Sequence, residues 1–349
     1  MIAPAWVGDM VMAHGLFRLL AAADSALELE LVAPPVTAPL GARMAEVKAV
    51  HVLDVAHGRV GLAKRRRLAA ELRARGFEHA IVLPNSWKSA LVPFLARIPH
   101  RTGWRGEMRY GLLNDPRVLD AQRIPRMVDR FAALGLAAGE EQLAGLKAPR
   151  PRLEADTGGA QRAREELGLV AHRPVLACCP GAEFGASKRW PTRHFSTLID
   201  ATVRAGWQVW LFGSAGDAAV TRQIRSSLAP GIDEAVFDLA GRTSLLAAVD
   251  LLSTVRAVVS NDSGLMHVAA ALDLPVVALF GSTSTAFTPP LGSRVQTLTL
   301  GLDCSPCFRR TCPLRHHDCL ERLHPERVTS ALTGLMTARP GWQGMEPKG

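Results

Sequence analysis

The chain has 349 residues, 48% hydrophobic and 21% charged, with 41 basic against 32 acidic side chains and a net charge of +9. It is long enough for two ordinary domains with separate cores, it has no uncharged apolar run near the ~18 residues of a membrane-spanning helix, and its opening MIAPAWVGDM lacks the form of a signal peptide, so a cytoplasmic protein is expected. The positive charge calls for an anionic partner such as nucleic acid, an anionic membrane or a phosphorylated substrate, but a single Tyr, and Trp and Phe placed mostly inside apolar runs, speak against nucleic acid.

Short strand-type runs alternate with helix-type runs nearly throughout, the pattern of parallel sheets covered by helices. Only IAPAW precedes Gly8, so either the first strand is short or the recorded start lies inside the natural one. A helix is predicted over MVMAHGLFRLL, and strands follow at Leu27–Ala33, Val50–Leu53 and His79–Leu83. Helices are read in AKRRRLAAELRARG, closed by Gly76, and in SALVPFLARI. Residues 137–173 read as a linker containing one helix, AQRAREELGL.

The alternation then restarts, with strands at Pro174–Cys179, Gln208–Phe212, Ala235–Asp238, Ala257–Ser260 and Val276–Phe280. Between the first two, Thr192–Ala205 sets Phe195, Leu198, Ile199 and Thr202 on one helix face. An α/β protein is expected, with two Rossmann-like domains facing across a central cleft. The domains would cover residues 1–155 and 165–325, and residues 326–349 would form a C-terminal helix and tail able to pack back on the first domain.

Three turns carry candidate chemistry. WVGDMVM lifts Asp9 to the carboxyl edge of the first sheet, where open α/β sheets bind ligands; Asp9 is either a functional carboxylate or a helix N-cap. CCPGAEFGASKRWP runs from a strand into Gly181, Ala182, Glu183 and Gly185, then Lys188. Small residues there let backbone N–H groups approach an anion and Lys188 adds a point charge. It is not a P-loop, since no G-x-x-x-x-G-K-[ST] threads through it. NDSGLMHVAAAL offers a second anion seat at a helix N-terminus, with Asp262, Ser263, Gly264 and His267, against ordinary capping and a core histidine. LFGSAGD adds Asp217, placed to meet a ribose hydroxyl.

In this order and spacing the three segments resemble glycosyltransferase family 9, the lipopolysaccharide heptosyltransferases, over about residues 4–330. LPNSWKSALVPF, LFGSTSTAFTPPL and CSPCFRRTCPLRHHDCL are similar to the branch adding the second heptose rather than the first. The resemblance implies a GT-B fold in a Gram-negative bacterium. It implies inverting transfer of L-glycero-D-manno-heptose from ADP-heptose to the first heptose of heptose-Kdo2-lipid A. By position, Asp9 is then the general base, and Lys188 with the backbone of Gly181 and Ala182 holds the diphosphate. Asp262, Ser263, Gly264 and His267 line its second side, and Thr243 in AGRTSL lies near adenine. Glu183 is either a donor-hydroxyl contact or a turn residue.

No cofactor is expected, and the chain has no D-x-D, consistent with metal-independent chemistry. An enzyme working peripherally on the inner leaflet of the inner membrane would meet an acidic acceptor. Lys64, Arg65, Arg66, Arg67, Lys88, Arg101 and Arg105 are candidates to contact it, though a charge run is often only a solvated helix face. Cys304, Cys307, Cys312 and Cys319, with His316 and His317 between, form C-x2-C-x4-C-x6-C, to be read as packed thiols, a zinc set or a disulfide. Competing readings are a family member adding the first or a later heptose, another sugar on the same fold, and a non-catalytic nucleotide-binding module.

Overall fold

A computed structural model describes residues 1–349 apart from 57, 141–144, 170–171 and 338–349. Parts of the expected linker and most of the expected tail therefore lie outside the described residues. The chain divides into two compact units, Met1–Glu154 and Ala155–Gly349.

The first unit contains, in chain order, α1 (Val7–Ala23), β1 (Leu29–Ala33), β2 (Val47–Val52), α2 (Leu62–Arg73), β3 (His79–Ile81), α3 (Leu91–Leu95), β4 (His100–Trp104), β5 (Asp115–Arg117) and α4 (Met127–Ala133). β1 pairs with β2, and β3, β4 and β5 pair in that order, all parallel. Ile2 joins the two groups by bridging Val32 on one side and Val82 on the other. Its N–H donates to Ile81 O at 2.9 Å, and Ala3 N–H donates to Val32 O at 2.9 Å. The spatial order is therefore β2–β1–Ile2–β3–β4–β5. The opening segment is central to the sheet although it is only a few residues long. The helix expected in SALVPFLARI is a 3-10 turn at Trp87–Ala90 running into the short α3.

The second unit contains α5 (Thr157–Leu167), β6 (Val175–Cys179), α6 (Thr192–Arg204), β7 (Gln208–Leu211), α7 (Ala218–Ser226), β8 (Val236–Asp238), α8 (Leu245–Leu252), β9 (Ala257–Asn261), α9 (Gly264–Ala271), β10 (Val276–Leu279), β11 (Val295–Leu298), α10 (Asp318–Glu321) and α11 (Pro325–Thr337). Its strands form one parallel sheet in the order β11–β10–β9–β6–β7–β8. β6, β9 and β10 are buried at every position, as expected for apolar runs covered by helices on both faces. α6 buries Phe195, Leu198, Ile199 and Thr202, the face its spacing predicts.

α5 begins under an Asp156 cap, whose carboxylate accepts from Gly158 N–H at 2.9 Å, and ends at Gly168 in the left-handed region. It packs on α8 and so belongs to the second unit rather than to a linker. α11 buries Val328, Ala331, Leu332 and Met336 in the core of this same unit, against α6, β10 and β11. β4, β5 and β11 are strands beyond those the sequence predicts; His100 and Arg101 in β4 and Pro116 in β5 interrupt any apolar run.

Candidate functional site

In the second unit β6 and β9 are neighbours, yet the chain leaves β6 towards β7 and leaves β9 towards β10. The order reverses there, and loops departing in opposite directions open a crevice at the carboxyl ends of the two strands. The turns PGAEFGASK and NDSG flank that crevice. Asn261, the fully buried last residue of β9, holds the first loop at both ends. Its Nδ2 donates to Pro180 O at 2.7 Å, and its Oδ1 accepts from Trp190 N–H at 3.1 Å. Between these fixed ends a 3-10 turn, Ala186–Lys188, delivers Lys188. Its Nζ lies 2.6 Å from Asp262 Oδ2, with the two side chains 15% and 5% exposed. Thr283 Oγ1 donates to the same carboxylate oxygen at 2.5 Å. Asp262 is thus not the cap of α9; Ser263 takes that position without a side-chain cap bond.

His267 lies on α9 and is 5% exposed. Burial pushes its pKa down to about 4, with Lys188 lowering it further against the opposing pull of Asp262. The ring is therefore neutral near pH 7 in the unliganded chain. Gly181 leaves no room for a side chain, because a Cβ there would meet the Asp217 carboxyl group. Asp217 accepts from Ser214 N–H at 2.9 Å and from Ser214 Oγ at 2.8 Å, closing a capping box before α7. Gly241 N–H donates to Gly213 O at 3.0 Å, joining the turn that carries Thr243 to the loop that carries Asp217. Ala182 is buried and Glu183 is exposed.

The cysteine segment braces this loop from behind. Ser187 N–H donates to Arg310 O at 3.1 Å, Ser187 Oγ meets Ser282 Oγ at 2.9 Å and the Arg309 carbonyl, and His317 Nε2 lies 3.0 Å from Ser187 O. Gly185, at φ +154°, sits against the backbone of Arg310, where a side chain would collide. All six cysteines are free thiols. Cys319 is pushed up to about 11 by burial, with Cys304, Cys312 and Cys307 adding to the rise. Among the described residues no group of three or more His, Cys, Asp or Glu is set to hold a metal ion. The segment supports the loop through its contacts with Ser187 and Gly185.

In the first unit Asp9 is the third residue of α1, partly exposed, at the carboxyl end of the opening segment. Trp6, not Asp9, holds the N-cap position. The candidate acceptor cations differ in their surroundings. Lys64 Nζ pairs with Asp54 Oδ2 at 2.9 Å. Arg65, a candidate acceptor contact, is only 8% exposed and donates Nε to Val60 O at 2.7 Å, so it does not lie on a solvated helix face. Arg101 spends its guanidinium on Leu112 O at 2.8 Å and Ile98 O at 2.6 Å. Lys88 follows β3, and the exposed Arg105 follows β4.

The positioning residues Asn261, Ser187, Ser282 and Thr283 escaped the sequence reading. Asn261 abuts the DSG turn, but nothing in its local pattern says that its amide spans to residues 180 and 190.

Residues 65–317 match the family model described as glycosyltransferase family 9 (heptosyltransferase). The chain belongs to that family. It is 43% identical to lipopolysaccharide heptosyltransferase 2 of Salmonella typhimurium over 96% of this chain and 97% of the relative. It is 40% identical to lipooligosaccharide heptosyltransferase 2 of Haemophilus ducreyi over 96% and 98%. Among solved structures, the ADP-heptose LPS heptosyltransferase II of E. coli superposes with a TM-score of 0.87 at 41% identity, covering 97% of this chain and 98% of that one. The protein is thus a glycosyltransferase of GT-B class built from two Rossmann-like units.

Proposed function

We propose that this family 9 enzyme transfers L-glycero-D-manno-heptose from ADP-heptose to the first heptose of heptose-Kdo2-lipid A, with inversion and without a metal. The observation that carries the reading is the Lys188–Asp262 pair at the β6/β9 crevice, framed by the Asn261-anchored loop and the N-terminus of α9. Its chemistry suits a leaving nucleoside diphosphate. Backbone N–H groups around Gly181 and Ala182, the free end of α9 and the Lys188 ammonium are fixed before reaction. They offset charge as the sugar–phosphate bond breaks through an oxocarbenium-like transition state. Asp217 and Thr243, in adjoining turns, are offered to the ribose and adenine, while Asp262, Ser263, Gly264 and His267 flank the diphosphate.

Asp9 takes the acceptor hydroxyl proton. A base on the face opposite the departing ADP gives inversion in one step. Lys64, Lys88, Arg101 and Arg105 are candidate partners for the acceptor's phosphates and carboxylates, and the enzyme works at the inner leaflet of the inner membrane, in the cytoplasm. The similarity to proteins named lipopolysaccharide and lipooligosaccharide heptosyltransferase 2 supports this reading.

The test is incubation with ADP-heptose and lipopolysaccharide cores carrying either one heptose or none, read by mass. Gain of one heptose on the singly substituted core is the expected result. Gain only on the unsubstituted core moves the enzyme to the first transfer, and no gain on either leaves a nucleotide-binding module. Asp9→Asn is expected to lower turnover by roughly 10²–10⁴ while ADP binding is retained; normal turnover removes Asp9 as the base.

A further inference from the structure

Large apolar side chains left exposed by the first unit are unevenly placed. Among the described residues Leu27, Leu62 and Phe94 lie elsewhere; the others fall on the last residues of strands or on the segments that leave the strands' carboxyl ends. The extremes are Met108, 88% exposed, and Tyr110, 75% exposed, both on the loop between β4 and β5. Trp87, after β3, and Val118, after β5, stand beside them in the sequence of strand ends at 38% and 48%.

This loop is held rather than loose. Arg109, between Met108 and Tyr110, is 3% exposed and points inward. Its Nη1 donates to Pro84 O at 2.6 Å, its Nη2 donates to Asn85 Oδ1 at 3.2 Å, and a further bond reaches the Trp104 carbonyl. The Trp87 N–H donates to Glu107 Oε2 at 3.0 Å, which both ties the two loops together and occupies the one carboxylate at the tip. Anchoring the middle residue inward forces its two neighbours outward. Lys88 and Arg105 sit on the same two stitched segments.

We propose that the 85–88 and 105–110 loops form an anionic-lipid-binding surface, with Met108 and Tyr110 entering the headgroup region and Lys88 and Arg105 meeting lipid phosphates. Apolar and aromatic tips ringed by cations are the composition that partitions to an anionic bilayer surface. A sugar acceptor accounts for the cations but not for a methionine that is nearly fully exposed beside them. Asp9 also follows a strand's carboxyl end in this sheet, so the surface would set the proposed base near the plane of a lipid-anchored acceptor. The inference rests on the proposed function only for that acceptor being lipid-anchored.

The experiment compares the full chain with a Met108→Ser/Tyr110→Ser double variant. It measures flotation with phosphatidylglycerol/phosphatidylethanolamine vesicles and with phosphatidylcholine vesicles, and heptose transfer to vesicle-embedded and to deacylated, water-soluble core. The wild type is expected to bind the anionic vesicles preferentially, and the variant to bind them roughly tenfold less. The variant should also lose several-fold in transfer to embedded core while keeping transfer to soluble core. Equal vesicle binding by the two proteins overturns the proposal, as does a wild type that ignores anionic vesicles. An equal loss on soluble core, or a wild-type dimer that the variant abolishes, assigns the surface to acceptor sugar or to a second copy and overturns it too. Vesicle binding by a wild type that transfers no heptose would keep this surface and defeat the transfer reading instead.

Discussion

The two units repeat one strand order but finish their carboxyl edges in opposite ways. In the second unit the edge is closed and polar: a buried amide, Asn261, pins a loop, a buried ion pair lies in the crevice, and the cysteine segment backs it. In the first unit the same edge is open, with exposed apolar tips and the exposed cation Arg105. The physical lesson is that a small charged ligand rewards donors fixed in advance, since electrostatic stabilisation is strongest where nothing must reorganise. A large acceptor at a membrane rewards reach and surface instead.

If that contrast is right, the deepest cut comes from the closed edge. Lys188→Met is expected to lower kcat/KM by roughly 10²–10³, with weaker ADP binding in a titration. It also leaves the Asp262 carboxylate with Thr283 as its only partner of the two. A variant with near-normal kcat/KM would show that Lys188 is merely a partner of Asp262.

Asn261→Leu is next. It fills a similar volume but leaves Pro180 O and Trp190 N–H without their amide, and each buried unpaired group costs about 1–3 kcal/mol. A lower midpoint in denaturant is expected, together with weaker ADP binding as the loop between residues 180 and 190 loses its anchor. Unchanged ADP affinity in a destabilised variant would make Asn261 a packing residue and nothing more.

The pH response of the closed edge is smaller and has a definite sign. His267 has a folded pKa of about 4 against an ordinary 6.5, with burial the main cause. Above about pH 6.5 both states are neutral at this residue. Between 6.5 and 4 the unfolded chain binds the proton that the folded chain refuses, so stability falls as pH falls, by up to about 1.4 kcal/mol per pH unit. Urea unfolding of wild type and His267→Gln across that window should diverge, the variant showing the flatter profile; parallel curves would remove His267 as the source.

How much of this could be read from the chain itself follows the same division. The second unit's strands are β-branched and apolar runs covered on both faces, so Ala257–Asn261 and Val276–Leu279 declare themselves. Lys188, Asp262 and Gly181 sit in turns whose spacing already suggests an anion. What escapes is long-range: that Asn261 reaches residues 180 and 190, that Arg310 lies against Gly185, and that Arg65 turns inward from a run of four cations. A charge run has no inside or outside until the helix carrying it is docked. β5 was invisible for a related reason, since Asp-Pro-Arg becomes a strand only because β4 offers it a partner.

The smallest effect belongs to the open edge. Lys88→Ser removes one half-buried cation on the 3-10 turn after β3, and surface charges contribute about 0–1 kcal/mol each. Fold stability should be unchanged, and KM for a vesicle-embedded core should rise only a few-fold at low salt. Because interactions at an exposed edge are screened over roughly 10 Å at 0.1 M salt, that difference should shrink as salt is raised, whereas the Lys188→Met deficit, from a side chain 15% exposed in a crevice, should persist. Two deficits with the same salt dependence would erase the distinction between a closed donor edge and an open acceptor edge.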